Sequence, residues 1–314
     1  MRTKTKTIKN SPGIQRKHRG KVLFLMILPF LLLNFLFAYF PLHGWAYAFF
    51  DYRPPLKLSQ CDFVGWKWFR MLFSNPTQLS QLWQVMVNTF AMSLLGIATS
   101  ILPLFFAVFL HEIKCKRFKS VTQTLTTIPN FISWILVYSV AFSLFSNSGM
   151  VNTLLQNLGI VEAPVKFLDS DKHTWLSMIL WSNWKGLGWN AIMYLAAIAG
   201  IDMELYEAAK IDGAGRFKLM RYITIPELLP TFFVLLMLSV ANFLNNGVDQ
   251  YFVFQNAFNK NHIQVLDLYV YNIGMTGKSQ SLATAISIMK SGVSITLLTV
   301  VNFISKRLRG ESII

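Results

Sequence analysis

The chain has 314 residues, 54% hydrophobic and 14% charged, with mean hydropathy +0.44 and a formal net charge of +15. Soluble domains carry about a quarter charged residues, so this composition excludes a fully water-facing globule and points to an all-α polytopic membrane protein. The basic residues fall in short blocks beside apolar runs, which the positive-inside rule explains and nucleic-acid binding does not.

Residues 1–21 carry Arg2, Lys4, Lys6, Lys9, Arg16, Lys17, Arg19 and Lys21 with no acid among them, and read as a basic cytoplasmic arm. A first span is expected at about 22–40, which covers about 28 Å at 1.5 Å per residue. Ala46-Tyr47-Ala48 imitates a signal-peptidase site. The apolar run is long and aromatics flank the alanines, so an uncleaved helix is expected. Residues 43–81 form a loop rich in aromatics, among them Trp45, Phe49, Phe50, Tyr52, Trp66, Trp68 and Phe69. Headgroup anchoring and a partner surface both fit that loop.

A second span is expected at about 82–110. Lys114, Lys116, Arg117 and Lys119 follow it in a block expected to be cytoplasmic. A third is expected at about 121–145. Met150, Val151, Leu154, Leu155 and Leu158 then recur at helical spacing among polar residues, which predicts a short amphipathic helix on the outer face. Spans four, five and six are expected at about 175–200, 228–254 and 282–304, within a membrane domain of residues 22–305. A tail, 306–314, carries Lys306, Arg307 and Arg309. Of the 29 Lys and Arg, 19 fall on the expected cytoplasmic side and eight in the outer loops, with Lys185 and Lys290 inside spans. Six spans with both termini cytoplasmic follow, and segment 202–226 is placed in the cytoplasm. Cys61 and Cys115 then fall on opposite sides, so no internal disulfide is expected.

Segment 202–226 is polar and lies between two apolar runs. Asp202 is a helix N-cap for Met203–Ile211, and Gly213 suits the left-handed residue that ends such a helix. A second short helix is expected from Arg216 to Tyr222, before Pro226 opens span five. Ala208 and Ala209 let another surface approach closely, and Glu207, Lys210 and Arg216 offer polar contacts. On physics alone, a docking helix pair and an ordinary loop both fit.

Glu207-Ala208-Ala209, Gly213 after three residues, and Ile223-Thr224-Ile225-Pro226 after nine more resemble the EAA motif of ABC-importer permeases. That motif reads EAA, three residues, G, nine residues, I, one residue, LP; here Ile225 stands in place of its leucine. The resemblance covers most of the chain and is similar to the carbohydrate-uptake branch, for polysaccharides or complex oligosaccharides. It is carried by Tyr39-Phe40-Pro41 with Gly44, Phe50-Asp51-Tyr52, Val64-Gly65, Asn88-Thr89, Phe131-Ile132-Ser133-Trp134 and Asp212-Gly213-Ala214. Towards the C-terminus, Gly247-Val248-Asp249-Gln250, Val265-Leu266-Asp267, Tyr269-Val270-Tyr271 and Ala283-Thr284-Ala285-Ile286 continue it.

The resemblance implies that Glu207, Ala208, Ala209, Lys210, Asp212, Gly213 and Arg216 form coupling helices on a cytoplasmic ATPase dimer, which binds ATP and Mg. It also implies a second homologous permease, an extracellular solute-binding lipoprotein, and uptake of an oligosaccharide by alternating access across a bacterial plasma membrane. The chain's own candidate nucleotide loop, Thr276-Gly277-Lys278-Ser279, has Asn272 where a phosphate-binding loop needs its first glycine. No cofactor is therefore expected in this chain.

A sugar path needs hydroxyl-pairing groups and flat apolar faces. Trp181, Asn183, Trp184, Lys185, Trp189 and Asn190 offer them in span four, and Asn242, Asn245, Asn246, Asp249, Gln250 and Tyr251 in span five. Helix–helix hydrogen bonding and tryptophan anchoring are the competing readings for any one of them. Lys185 and Lys290 lie roughly 15 Å deep by helical rise, so each is expected to be paired or to face water, with Asp249 a candidate partner. Snorkelling is the competing reading for Lys290. His18, His43, His111, His173 and His262 have no metal-ligand spacing, and no carboxylate pair suggests an enzyme site. A permease for peptides or amino acids and a stand-alone secondary transporter are the alternative functions.

Overall fold

A computed structural model describes residues 13–277 and 279–309. Most of the expected basic arm, Lys278 of the candidate nucleotide loop, and the end of the tail lie outside the described residues. The described regular structure is helical, with one isolated antiparallel bridge between Phe50 and Phe63.

Helix α1 (Gly13–Asn34) continues through a π-helical turn, Phe35–Tyr39, into a 3-10 stretch, Phe40–Phe49. No residue of its apolar run is buried: Leu25 is 70% and Phe37 72% exposed. Only the 3-10 stretch returns to the bundle. There Ser281 donates to the Phe50 carbonyl at 2.7 Å and accepts from the Tyr52 amide at 3.0 Å. The expected loop 43–81 therefore holds more structure than its composition suggests. It contains this 3-10 stretch, helix α2 (Lys67–Ser74), and the start of α3 (Pro76–Thr99). Phe49, Trp66 and Phe69 cluster with ring centroids 4.9–5.7 Å apart.

Asn75 caps α3 by accepting from the Thr77 amide, and Pro76 sits where no amide donor is needed. The expected second span is interrupted at Ser100–Ile101 and resumes as α4 (Leu102–His111). Pro103 explains the interruption, because it removes a backbone donor and crowds the carbonyl four residues back. The expected third span, 121–145, is two helices: α5 (Lys116–Thr127) and α6 (Trp134–Phe145). Pro129 opens a 3-10 turn between them, and Ser133 then caps α6 through the Leu136 amide. The predicted amphipathic helix is α7 (Met150–Asn157). Fully buried Asn152 anchors it to the backbone of Ser146 and Val165.

Helix α8 (Thr174–Ala199) is the centre of the bundle, packing on α3, α4 and α5. At Gly188 a β-carbon would lie 2.4 Å from the Thr126 backbone, so only glycine lets α8 and α5 cross this closely. Helix α9 (Met203–Ile211) turns away from α8 by 71°. Next come α10 (Arg216–Leu219), a π-helical turn (Met220–Thr224) and α11 (Ile225–Ala241).

The expected fifth span, 228–254, is corrected here. Helix α11 stops at Ala241, residues 242–248 form a turn, and a separate short helix α12 (Asp249–Phe254) follows. The Asn242 amide makes the last helical bond to the Leu238 carbonyl, and its side chain donates to that same carbonyl, a local contact that disfavours continuing the helix. Gly247, at φ +79°, then takes a left-handed corner. Two further short helices, α13 (Lys260–Ile263) and α14 (Leu266–Tyr271), lead through a π-helical turn (Asn272–Thr276) to α15 (Gln280–Arg309). Among the described residues, five helical stretches are each long and apolar enough to cross a membrane, and α8 passes the same test jointly with α9.

Three apolar clusters hold the bundle. One joins Met92, Val137, Met178, Phe254 and Leu268. A second joins Leu104, Ala107, Ala191, Tyr194 and Leu228, and a third Leu72, Val85, Leu282 and Ile286. Buried Asn88 and Thr89 on α3 tie in the segment before α14: Asn88 donates to the carbonyls of Asn261 and Gln264, and Thr89 accepts from the Leu266 amide.

Candidate functional site

Two regions carry the residues singled out in the sequence. The first is the α9–α10 loop. Asp202 accepts from the Glu204 amide at 3.0 Å and caps α9, with Glu204 in its first turn and Lys210 in its last, as the helix dipole favours. Gly213, at φ +74°, ends it, and the Ala214 amide reaches back to the Ala209 carbonyl at 2.9 Å. Glu207, Ala208, Lys210, Asp212, Gly213 and Arg216 are exposed and Ala209 is half-buried. The loop is pinned from below. Tyr206 and Thr224 share a 3.0 Å hydroxyl–hydroxyl hydrogen bond and are 7% and 1% exposed. Sequence reasoning missed the most protruding apolar groups here, Ile211 at 86% and Phe217 at 81% exposure, which flank Gly213. Two bulky apolar side chains inside a charged segment were the available signal.

The second region is a row of three concavities. One, of about 370 Å³, is lined by Ser100, Trp189, Asn190, Tyr194, Ser239 and Asn242 among others. The next, about 320 Å³, shares Ser239 and Asn242 and adds Ser93, Asn246, Gln250 and Tyr251. The third, about 470 Å³, shares Asn245 with the second and is lined by Trp45, Asp267, Lys290, Ser291 and Ser294. Their walls combine hydroxyls, carboxamides and aromatic rings, and the first two contain no charged side chain. Two buried polar atoms on these walls, Asn246 Oδ1 and Ser294 Oγ, have no hydrogen-bond partner among the described residues.

The structure divides the predicted path residues. Asn190, Asn245, Asn246, Gln250, Tyr251 and Lys290 line the concavities. Gln250 is also spent on packing, donating to the Met178 carbonyl at 2.7 Å. Trp181 and Trp184 meet edge to face at 5.8 Å, and Trp181 also packs on Phe145 and Phe254. Asn183 is half-buried and Asp249 is exposed at the start of α12.

Asp249 is the partner of neither lysine. Lys185 donates to the Asn130 carbonyl at 2.7 Å and lies over the Trp134 ring, tying α8 to the break between α5 and α6. Lys290 pairs with Asp267. Sequence reasoning also missed Trp45, Ser93, Ser239, Ser291 and Ser294. For the last two, a polar stripe running past Lys290 on α15 was the available signal.

Residues 99–310 match the family described as the binding-protein-dependent transport system inner membrane component. The chain is 35% identical over 297 residues to Protein LplB of Bacillus subtilis (strain 168), covering 94% of this chain and 92% of that one. It is 36% identical over 295 residues to the polygalacturonan/rhamnogalacturonan transport system permease protein YteP of the same organism, covering 93% and 90%. Among solved structures it is similar to a chain of a bacterial alginate ABC transporter in complex with an alginate pentasaccharide-bound periplasmic protein. The TM-score is 0.81 at 28% identity, over 95% of this chain and 98% of that one. The chain belongs to the family of inner membrane components of binding-protein-dependent transport systems.

Proposed function

We propose that the chain is the transmembrane permease of an ATP-driven importer of oligosaccharides in a bacterial plasma membrane, with both termini cytoplasmic. The observation that carries this reading is the α9–α10 loop, where the EAA spacing coincides with an exposed, capped and pinned helix pair. In this reading Glu207, Ala208, Ala209, Lys210, Asp212, Gly213 and Arg216, with Ile211 and Phe217, seat on a separate ATPase dimer. ATP and Mg bind that dimer. Its closure moves α9, and the Tyr206–Thr224 bond and the π turn carry the motion into α11.

A second, homologous permease completes the path, and an extracellular binding lipoprotein delivers the sugar. The exposed first helix is left to lipid and that second subunit. The relatives described above favour carbohydrate, and the wall chemistry of the three concavities supports it: hydroxyls and carboxamides pair with sugar hydroxyls, and aromatic faces stack on sugar rings.

Glu207→Arg and Gly213→Pro test the coupling. Proline cannot take the φ of +74° found at Gly213. In proteoliposomes of the whole assembly, both variants are expected to insert normally and to lose ATP-driven uptake. The uptake panel is labelled oligogalacturonate, alginate pentasaccharide, arabino-oligosaccharides and short peptides. Normal uptake by either variant refutes the coupling role, and uptake of peptides alone by the wild type refutes the carbohydrate assignment.

A further inference from the structure

One carboxylate holds three elements together. Asp267, in the first turn of α14, accepts from Lys290 of α15 through Oδ1. Its Oδ2 accepts from the Gly247 amide at 2.9 Å. Gly247 is the left-handed corner of the 242–248 turn, and both charged side chains are mostly buried, at 16% and 15% exposure. On its other side the turn is tied to α3. Ser93 donates to the Phe243 carbonyl and accepts from Asn246 Nδ2 at 3.1 Å. The turn is therefore clamped between a serine and an ion pair, with Asn245 on the wall shared by the second and third concavities.

We propose that Asp267 and Lys290 form a lock that fixes the 242–248 turn against α15 and sets the width of the passage past Asn245. Asp267 is a positioning residue acting through Gly247. Lys290 is its counter-charge and not a ligand for the solute. A lysine at this depth needs a neutralising partner, and Asp267, mostly buried beside it, supplies one. Losing either charge leaves the other buried and unpaired, so the turn is freed in both cases.

The inference rests on reading the concavities as the solute path. Its test separates the two claims, because labelling reads the turn and uptake reads the path. In the full assembly with Cys61→Ser and Cys115→Ser, Ser294→Cys, at a buried hydroxyl on the concavity wall shared with Asn245, reports access to N-ethylmaleimide past the turn. Asp267→Asn and Lys290→Met are each expected to raise the labelling rate about tenfold or more, the double variant no further, and Lys290→Arg less than about twofold. Uptake, measured with Ser294 intact, is expected to fall in both single variants. Co-purification with the ATPase checks assembly, and Lys290→Gln replaces Lys290→Met if that variant fails to assemble.

Unchanged labelling in the single variants, or multiplied effects in the double, overturns the lock. Raised labelling with wild-type uptake overturns its control of the passage. Unchanged labelling with lost uptake in Lys290→Met makes Lys290 a solute ligand and overturns its assignment as a counter-charge.

Discussion

Tyr206→Phe removes one oxygen from the protein, and the consequence can be worked out from its surroundings. The hydroxyl meets Thr224 Oγ1 at 3.0 Å in a site where the two residues are 7% and 1% exposed, so water cannot take its place. Orphaning one partner of a buried hydrogen bond costs about 1–3 kcal/mol. The bond ties α9 to the π turn. Its loss therefore favours local opening of α9 by about 5- to 150-fold. Replacing both partners by apolar groups of similar shape is close to neutral, so Tyr206→Phe/Thr224→Val is expected to lie nearer the wild type than Tyr206→Phe. Amide hydrogen exchange of peptides covering 203–215, in nanodiscs, measures the opening directly. Unchanged exchange in Tyr206→Phe, or a double variant that opens further than the single, refutes the assignment of Tyr206 as the pin.

Gly188→Ala places a methyl group 2.4 Å from backbone atoms of Thr126, which can move only with their helix. It is expected to cost about 3 kcal/mol or more, while Gly96→Ala, with nothing within 4 Å, is tolerated; melting midpoints of the purified proteins compare them. Ile211→Asp and Phe217→Asp change side chains that are 86% and 81% exposed, so the melting midpoint is expected to stay put. If each side chain is buried on the ATPase, its loss weakens co-purification by about 10- to 100-fold, since full burial contributes about 1.5–3 kcal/mol.

The long apolar helices, the α9–α10 segment and its glycine terminus were legible because each leaves a local signal: an apolar run, an N-cap, a residue suited to positive φ; the short helices α2, α12, α13 and α14 leave none as strong. The end of α11 left none in hydropathy. Phe243 and Leu244 keep the apolar run going, and only the asparagines around them and Gly247 mark the turn. The two buried lysines show a different limit. Depth alone said that each needs a partner, but the partner of Lys185 is the Asn130 carbonyl, a group that every residue carries. The partner of Lys290 is Asp267, on an element preceding its own helix, brought near by the fold. Asp249 looked plausible for want of other acids in the spans, and it is exposed instead.

The π-helical turn at Met220–Thr224 bears on what a fixed motif spacing means. Successive residues of a helix are rotated by about 100°, and a π turn holds one residue more than an α turn in the same rise. Deleting one residue of α10, with the π turn kept, would shorten the segment by only about 1.5 Å. It would rotate Thr224 by about 100° away from Tyr206. The nine residues between Gly213 and Ile223 are thus a setting of angular phase: they fix which side of α11 faces the loop beneath it, and length alone could be supplied by eight or ten.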